Sequence, residues 1–323
     1  MIQNNINSNA SSIPPIDKLP SIFRIVSISS RPSDNSKCVE YRAELFHDSA
    51  SMTVSFNRSH PDIRLKEDML VSVRWKLPVH CHAGAIQVSR LVLLELPINT
   101  VNLFETVPHR WVKNRELVGR AKVILDTLPD NLRFLFTAIL WNGARFRRFC
   151  NRPASVSGHH SVESGNLLHT IEVAETVMLN INRYPKANLG IGLAAALLHD
   201  IGKAEEYNRW SNGWGMTDRG KLVGHRHTVL EWIAAAMATN RIHIPEKHYL
   251  SLVHALTAAP GAEYIGVRTP VTPEATLLSL ADKLSGESDL TTMLANHTGG
   301  WGSQHPHRKS KPFTLPATAD TSF

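Results

Sequence analysis

The run Ala194-Ala195-Ala196-Leu197-Leu198 ends abruptly in His199-Asp200 and continues as Ile201-Gly202-Lys203. An apolar helical stretch of this kind belongs inside a core. A core helix that finishes in two adjacent metal-capable side chains must find them partners, because neither an imidazole nor a carboxylate is buried cheaply alone. Other segments are therefore expected to bring ligands to this helix end.

Several segments offer them. A helix carrying His169 places Ile171, Ala174, Val177, Met178 and Ile181 on one face. The next helix begins near Leu222 to Gly224 and carries His225; another, over residues 246–258, carries His254. A last one starts at Thr272-Pro273, a Thr cap followed by Pro in the first turn, and holds Asp282 among Leu278, Leu280 and Leu284. The order His…His-Asp…His…His…Asp on otherwise apolar helices points to a divalent ion of intermediate hardness, since the donors are nitrogen and oxygen and no thiolate is at hand.

The cysteines support that choice. Cys38, Cys81 and Cys150 are odd in number and far apart, which indicates neither a disulfide framework nor a thiolate zinc site and fits a reducing cytoplasm. No basic leader precedes an apolar run, and the longest apolar stretch, residues 189–198, is too short for a bilayer, so a soluble cytoplasmic protein with no membrane partner is expected. The formal charge of +7 over 323 residues favours a polyanionic partner.

Upstream, the texture is different. Residues 22–96 are short Val-, Ile- and aromatic-rich segments separated by turn-forming residues, and five strands are expected at 22–29, 38–46, 51–56, 70–75 and 85–94. Five short strands in so few residues suit a small Greek-key barrel of the OB type, which commonly holds single-stranded nucleic acid on basic and aromatic side chains. Arg42, Phe56, Arg58, Arg74, Trp75 and Lys76 are the candidates for such a surface, against the plainer alternative that the aromatics are core and the arginines a solvated face.

The expected organisation is a polar, disordered lead-in (1–20), the OB-like barrel (21–97), a basic helical connector (98–152), an all-α domain (153–296) and a disordered basic tail (297–323). Arg110, Lys113, Arg115, Arg120, Lys122, Arg145, Arg147, Arg148 and Arg152 of the connector form either a phosphate-backbone track or solvated helix faces. Trp210 and Trp214, in a loop of Gly and polar residues, either stack on a substrate base or cover the metal site.

The order His169, His199-Asp200, Asp282 resembles the HD-domain metal-dependent phosphohydrolase superfamily. The upstream barrel, Pro153-Ala154, His159-His160, Gly224-His225 and the Thr272-Pro273-Glu274-Ala275…Ala281-Asp282 segment more narrowly resemble YhaM-type 3′-to-5′ exoribonucleases, over roughly residues 20–295. The resemblance implies that His169, His199, Asp200 and Asp282 hold the catalytic metal, with Mn²⁺ first and Fe²⁺, Co²⁺ or Mg²⁺ as alternatives. It implies that Asp200 and Lys203 act in catalysis, Lys203 beside the scissile phosphate. For Lys203 a helix-terminal cation is the alternative.

His225 and His254 match positions that bind a second metal or the phosphate, and His159 and His160 match a phosphate contact. One departure stands out: where the family usually has His-His-Gly, this chain has Ala259-Pro260-Gly261, so a second-metal ligand is missing. The activity implied is a metal-dependent phosphodiesterase, a 3′-5′ exonuclease on single-stranded RNA or DNA, and a homo-oligomer is compatible with this organisation. The alternatives are a nucleic-acid-binding or conjugative-transfer protein with a degenerate site, which the Pro153 to His160 region resembles in HD-type relaxases, and a nucleotide phosphohydrolase.

Overall fold

The computed structural model describes residues 16–32 and 38–316. They fall into two compact units that divide between Leu94 and Glu95. The lead-in expected over residues 1–20 lies mostly outside the described residues; within them, Ile16–Lys18 forms a single 3₁₀ turn.

The first unit is a β-barrel of strands β1 (Phe23–Pro32), β2 (Val39–His47), β3 (Ala50–Arg58), β4 (Leu70–Trp75), β5 (Cys81–His82) and β6 (Ala85–Leu93). Strands β1, β2 and β3 form an antiparallel meander, β1 also pairs β4, and β4 pairs β6. A parallel pairing, Val54 with Ile86, closes β3 onto β6 and makes the OB-like barrel. All five expected strands are present, and the sixth, β5, is a two-residue extension paired with the start of β6.

Alternation explains which side faces in. Along β2, Tyr41, Ala43 and Leu45 are buried, and along β3, Val54 and Phe56 meet them. The Tyr41 and Phe56 rings stack with centroids 5.0 Å apart. Phe56 is therefore core, and Trp75 packs against the same cluster, so the plainer alternative holds for both aromatics.

The second unit is helical: α1 (Arg115–Thr127), α2 (Asp130–Ile139), α3 (Gly143–Asn151), α4 (Gly165–Asn180), α5 (Leu189–Leu198), α6 (Lys203–Glu206), α7 (Asp218–Leu222), α8 (Gly224–Asn240), α9 (Glu246–Thr257) and α10 (Pro273–Leu294). The helix starts obey local chemistry. Asn114, Asn142, Asn188 and Thr272 each accept a first-turn N–H of α1, α3, α5 and α10, and Pro273 opens α10.

Helix α5 is apolar all round, and α4, α9 and α10 pack about it. Helices α1 and α3 pack on α4, α2 packs on α5 and α8, and the Phe104, Phe136, Phe146 and Phe149 rings fill the space among them. Among the described residues no helix is long and apolar enough to cross a membrane.

Two expectations change. Much of the connector's charge is spent inside its own unit rather than laid out as a phosphate track. Arg120 forms a two-pronged pair with Glu175 of α4, and Lys122 pairs with Glu105 at 2.5 Å. Arg145 lies 3.9 Å over the Trp232 ring, while Arg148 and Arg152 donate to the Ala204 carbonyl. The guanidinium fork satisfies carbonyls and carboxylates as readily as phosphates, so a basic run cannot reveal which it meets.

The tail is the second change: residues 297–316 are folded. Strand β9 (Gly300–Trp301) pairs β10 (Phe313–Thr314), the Ser303 amide donates to the Leu294 carbonyl at the end of α10, and Pro312 is buried.

Candidate metal centre

Three helices deliver the site. His169 projects from the second turn of α4, His199 follows the last residue of α5, Asp200 sits in the turn beyond it, and Asp282 lies midway along α10. Nε2 of His169 is 3.3 Å from Nε2 of His199, 3.1 Å from Oδ1 of Asp282 and 3.4 Å from Oδ2 of Asp200. One ligand atom from each of His169, His199 and Asp282 lies within 4.8 Å of the others, a group able to hold a metal ion. Gly202 completes the turn: a Cβ there would sit 2.4 Å from the backbone oxygen of His225, so only glycine lets this turn lie against α8.

The donor set fits a cation. His199 Nδ1 faces the Ala196 carbonyl at 2.7 Å, and a carbonyl can only accept, so Nδ1 carries the hydrogen and Nε2 is bare. The Ser285 hydroxyl has one hydrogen, which it donates to the Glu172 carboxylate at 2.6 Å. Its oxygen therefore accepts from His169 Nδ1 at 3.0 Å and His160 Nε2 at 3.1 Å. His169 Nε2 is bare as a result. Two nitrogen lone pairs and carboxylate oxygens converging at 3.1–3.4 Å repel one another unless positive charge stands among them. Mixed imidazole and carboxylate ligation of this kind suits Mn²⁺, Fe²⁺, Co²⁺ or Zn²⁺.

The titration of the four groups follows from their burial and their charged neighbours. Burial, which Asp282 and Asp200 only partly offset, pushes His169 below its ordinary value and keeps it the neutral imidazole that a metal requires. Burial also disfavours charge on His199, yet the adjacent Asp200 carboxylate outweighs it and raises the imidazole's pKa. Asp200 is held well below the usual carboxylate range against the penalty of its own burial, by the Lys203 ammonium and by His199. Asp282 is also lowered, against its burial, by the neighbouring His169 and His199 rings.

Lys203 differs from a free phosphate-binding cation. Its side chain is 10% exposed and its ammonium donates to Oδ2 of Asp200 at 2.6 Å. The near-complete burial of both partners ties Lys203 to charge balance around the aspartate.

The other side of Asp200 is only partly built. His225 Nε2 lies 3.4 Å from Oδ1 of Asp200, and its Nδ1 pairs with the buried Glu206 carboxylate at 2.9 Å, the arrangement that orients a ligating histidine. His254, by contrast, accepts the Val271 amide at Nε2 (3.0 Å), which gives it a structural partner away from the centre. A cavity of about 80 Å³ lies beside His225 and Asp200, with Ala258, Ala259 and Pro260 in its wall.

The remaining candidates divide. His160 is buried and spends Nε2 on Ser285, with its amide donating to Asp289, so it braces the site rather than facing a substrate. His159 packs beside His169 with ring centroids 5.0 Å apart and lines a groove next to Asp282. Strands β7 (Tyr207–Trp210) and β8 (Gly213–Met216) form a hairpin whose base residues, Tyr207 and Met216, line that groove, while Trp210 and Trp214 stand toward its turn.

In the barrel, Arg58 is 3.5 Å from Asp62 and Arg74 is exposed opposite Arg90. The cavities of that unit are lined instead by Arg42, Ser55, Lys76 and Gln87.

Sequence reasoning missed Glu172, Ser285 and Glu206. A usable signal existed for the first two: Glu172 lies three residues after His169 and Ser285 three after Asp282, so each shares a helix face with a ligand candidate.

Comparison with known proteins agrees with this geometry. Residues 159–287 match the HD domain family. The chain is 28% identical over 145 residues to a 3′-5′ exoribonuclease YhaM of Geobacillus sp. (strain WCH70), covering 45% of this chain and 44% of the relative. It is 29% identical over 143 residues to that of Shouchella clausii (strain KSM-K16), covering 44% of each. It is 23% identical over 205 residues to that of Listeria welshimeri, covering 62% of this chain and 64% of the relative. The chain thus spans less than two thirds of the length of these relatives. No solved structure matches it at a significant level. Residues 159–287 thus match the HD domain family and bring together the candidate metal ligands, and in this chain they follow an OB-like barrel.

Proposed function

We propose that this protein is a metal-dependent phosphodiesterase that hydrolyses single-stranded RNA or DNA as a 3′-5′ exonuclease. The observation that carries the reading is the convergence of bare nitrogens on His169 and His199 with the Asp282 carboxylate, in a domain whose relatives are named 3′-5′ exoribonucleases. His169, His199, Asp200 and Asp282 would hold the ion; a divalent metal there supplies Lewis acidity toward a phosphoryl oxygen and a supply of hydroxide at neutral pH.

The protein's own groups do the rest. Ser285 and Glu172 hold the His169 ring in the tautomer that leaves Nε2 free, and Ala196 does the same for His199. Lys203 keeps Asp200 ionised, and Glu206 turns His225 toward the site, where it is placed to meet a phosphate oxygen. The barrel supplies a polar surface, with Arg42 and Lys76, for single-stranded nucleic acid.

Incubation of the full chain with Mn²⁺ and a 5′-labelled oligonucleotide tests this. A ladder shortening from the 3′ end, absent in His199→Ala, is expected. Uniform lack of cleavage by folded protein across Mn²⁺, Fe²⁺, Co²⁺ and Mg²⁺ would refute the reading, and nicking of supercoiled plasmid without exonucleolytic shortening would favour a transfer-type protein.

A further inference from the structure

The C-terminal segment is anchored to α10 at several points. Beyond the bond to Leu294, Arg308 Nη1 donates to Thr291 Oγ1 at 2.7 Å and its Nε lies 3.6 Å from the Glu287 carboxylate. The same turn crosses to the loop ahead of α4, where Ser157 Oγ and His307 Nε2 are 3.1 Å apart. His307 of this segment thereby joins the lining of a groove otherwise formed by that loop, α10 and the base of the β7–β8 hairpin. Nothing in the composition of this segment announces such a role.

The groove encloses about 450 Å³, within the ~300–1,000 Å³ typical of small-ligand sites. It opens beside Asp282, so whatever lies in it reaches the metal centre. Its lining has two characters. Val156, Tyr207, Met216 and Leu290 are apolar or aromatic, while Lys283 presents an ammonium and Ser157 and His307 a hydrogen-bonded pair. The acidic Glu287 in the same lining is partly offset by Arg308. On the floor, Gly286 lets the His159 ring pack close against α10: a Cβ there would stand 3.2 Å from His159 Nδ1. His159 Nε2, buried in the wall, has no hydrogen-bond partner among the described residues.

An apolar slot bordered by a lysine ammonium and a serine hydroxyl, ending at the candidate metal centre, matches a nucleotide. We propose that this groove seats a nucleotide of the substrate strand next to the scissile bond, its base against Val156 and Met216 and its own, non-scissile phosphate held by Lys283 with His307 beside it, the C-terminal segment completing the site. The inference rests on the phosphodiesterase reading for the identity of the substrate, but its test needs neither metal nor hydrolysis.

The test uses the full chain, treated with chelator, and adenosine 5′-monophosphate, with adenosine as the phosphate-free comparison. A mononucleotide is too short to engage the barrel by tracking a strand. Wild type is expected to bind the monophosphate about tenfold more tightly than adenosine, and Lys283→Ala combined with His307→Ala to remove that preference, about the worth of one charge-assisted hydrogen bond.

Both substituted residues are exposed, and because His307 also anchors the segment to Ser157, Lys283→Ala alone is measured beside the double variant and should by itself weaken the preference, with the unfolding midpoint of each verifying the fold. Equal monophosphate affinity in wild type and either variant overturns the proposal, as does failure of wild type to bind the monophosphate at millimolar concentration. A wild type that binds the monophosphate with the expected pattern but cleaves no oligonucleotide with any metal would leave the groove standing and overturn the hydrolase reading instead.

Discussion

The two sides of Asp200 are built differently. Toward Oδ2 lie His169, His199 and, beyond them, Asp282, each with its remaining hydrogen-bonding capacity already spent on Ser285, on Ala196, or on its neighbour. Toward Oδ1 lies His225 with Glu206 behind it, then a small cavity bordered by Ala259 and Pro260, while His254 is occupied with the Val271 amide. The contrast teaches that a ligand candidate is recognised by what its other atoms are doing. An imidazole whose second nitrogen is satisfied by the scaffold is presented for coordination; one whose outward nitrogen accepts a backbone N–H is not.

The largest expected effect is on the complete side. His199→Ala should lower bound metal after dialysis by more than about a hundredfold in affinity, read by elemental analysis, because it removes a ligand from a three-helix site. Retention of one ion per chain in this variant would break the comparison. Wild type itself should hold one ion per chain, and a reproducible two would mean that the His225 side is complete after all.

Asp200→Asn comes next. It leaves the buried Lys203 ammonium without its carboxylate, a change that costs about 3–5 kcal/mol in comparable buried pairs. Urea unfolding of the metal-free chain should show it, and a loss under 1 kcal/mol would mean that Lys203 escapes to solvent. Ser285→Ala should weaken metal binding by about 10–100-fold, since His169 loses the acceptor that fixes its tautomer, and Glu172→Gln, which still accepts the Ser285 hydroxyl, should weaken it less. Identical affinity in both variants would separate this network from the metal.

Two smaller effects sharpen the picture. Burial, reinforced by nearby His169 and Lys203, depresses His159 to about 4 from an ordinary 6.5. A depressed folded-state value means that its contribution is fully present above the unfolded pKa and is lost as pH falls from 6.5 toward 4, because the unfolded chain takes up the proton first. The metal-free unfolding midpoint should therefore drop between pH 7 and pH 5, and drop less in His159→Gln. His254→Ala should leave metal content unchanged and cost about 1 kcal/mol, the worth of the acceptor lost by the Val271 amide; a changed metal content would return His254 to the site.

Much of the architecture was legible because it follows from period and punctuation. The barrel strands emerge within a few residues of the expected ends, with Val54, Phe56 and Val71 inward as alternation requires. Thr272-Pro273 starts α10 where capping chemistry places a helix start. The arginines were not legible, since Arg120 and Arg152 are spent on Glu175 and the Ala204 carbonyl, partners 55 and 52 residues away in the chain. Nor was the C-terminal segment: a stretch rich in Gly, His and Lys is ordered here by Leu294, Thr291 and Ser157, none of which is local to it.

The sequence by itself determined that the end of α5 needs ligands and which side chains are chemically able to serve, because burial of His199 and Asp200 without partners is prohibitive whatever the fold. Only the tertiary structure decided among them. Coordination depends on which nitrogen is bare and where it points, and that is settled by Ser285 on another helix, by the Ala196 carbonyl, and by the backbone of Val271, through hydrogen bonds that spacing along a chain does not encode.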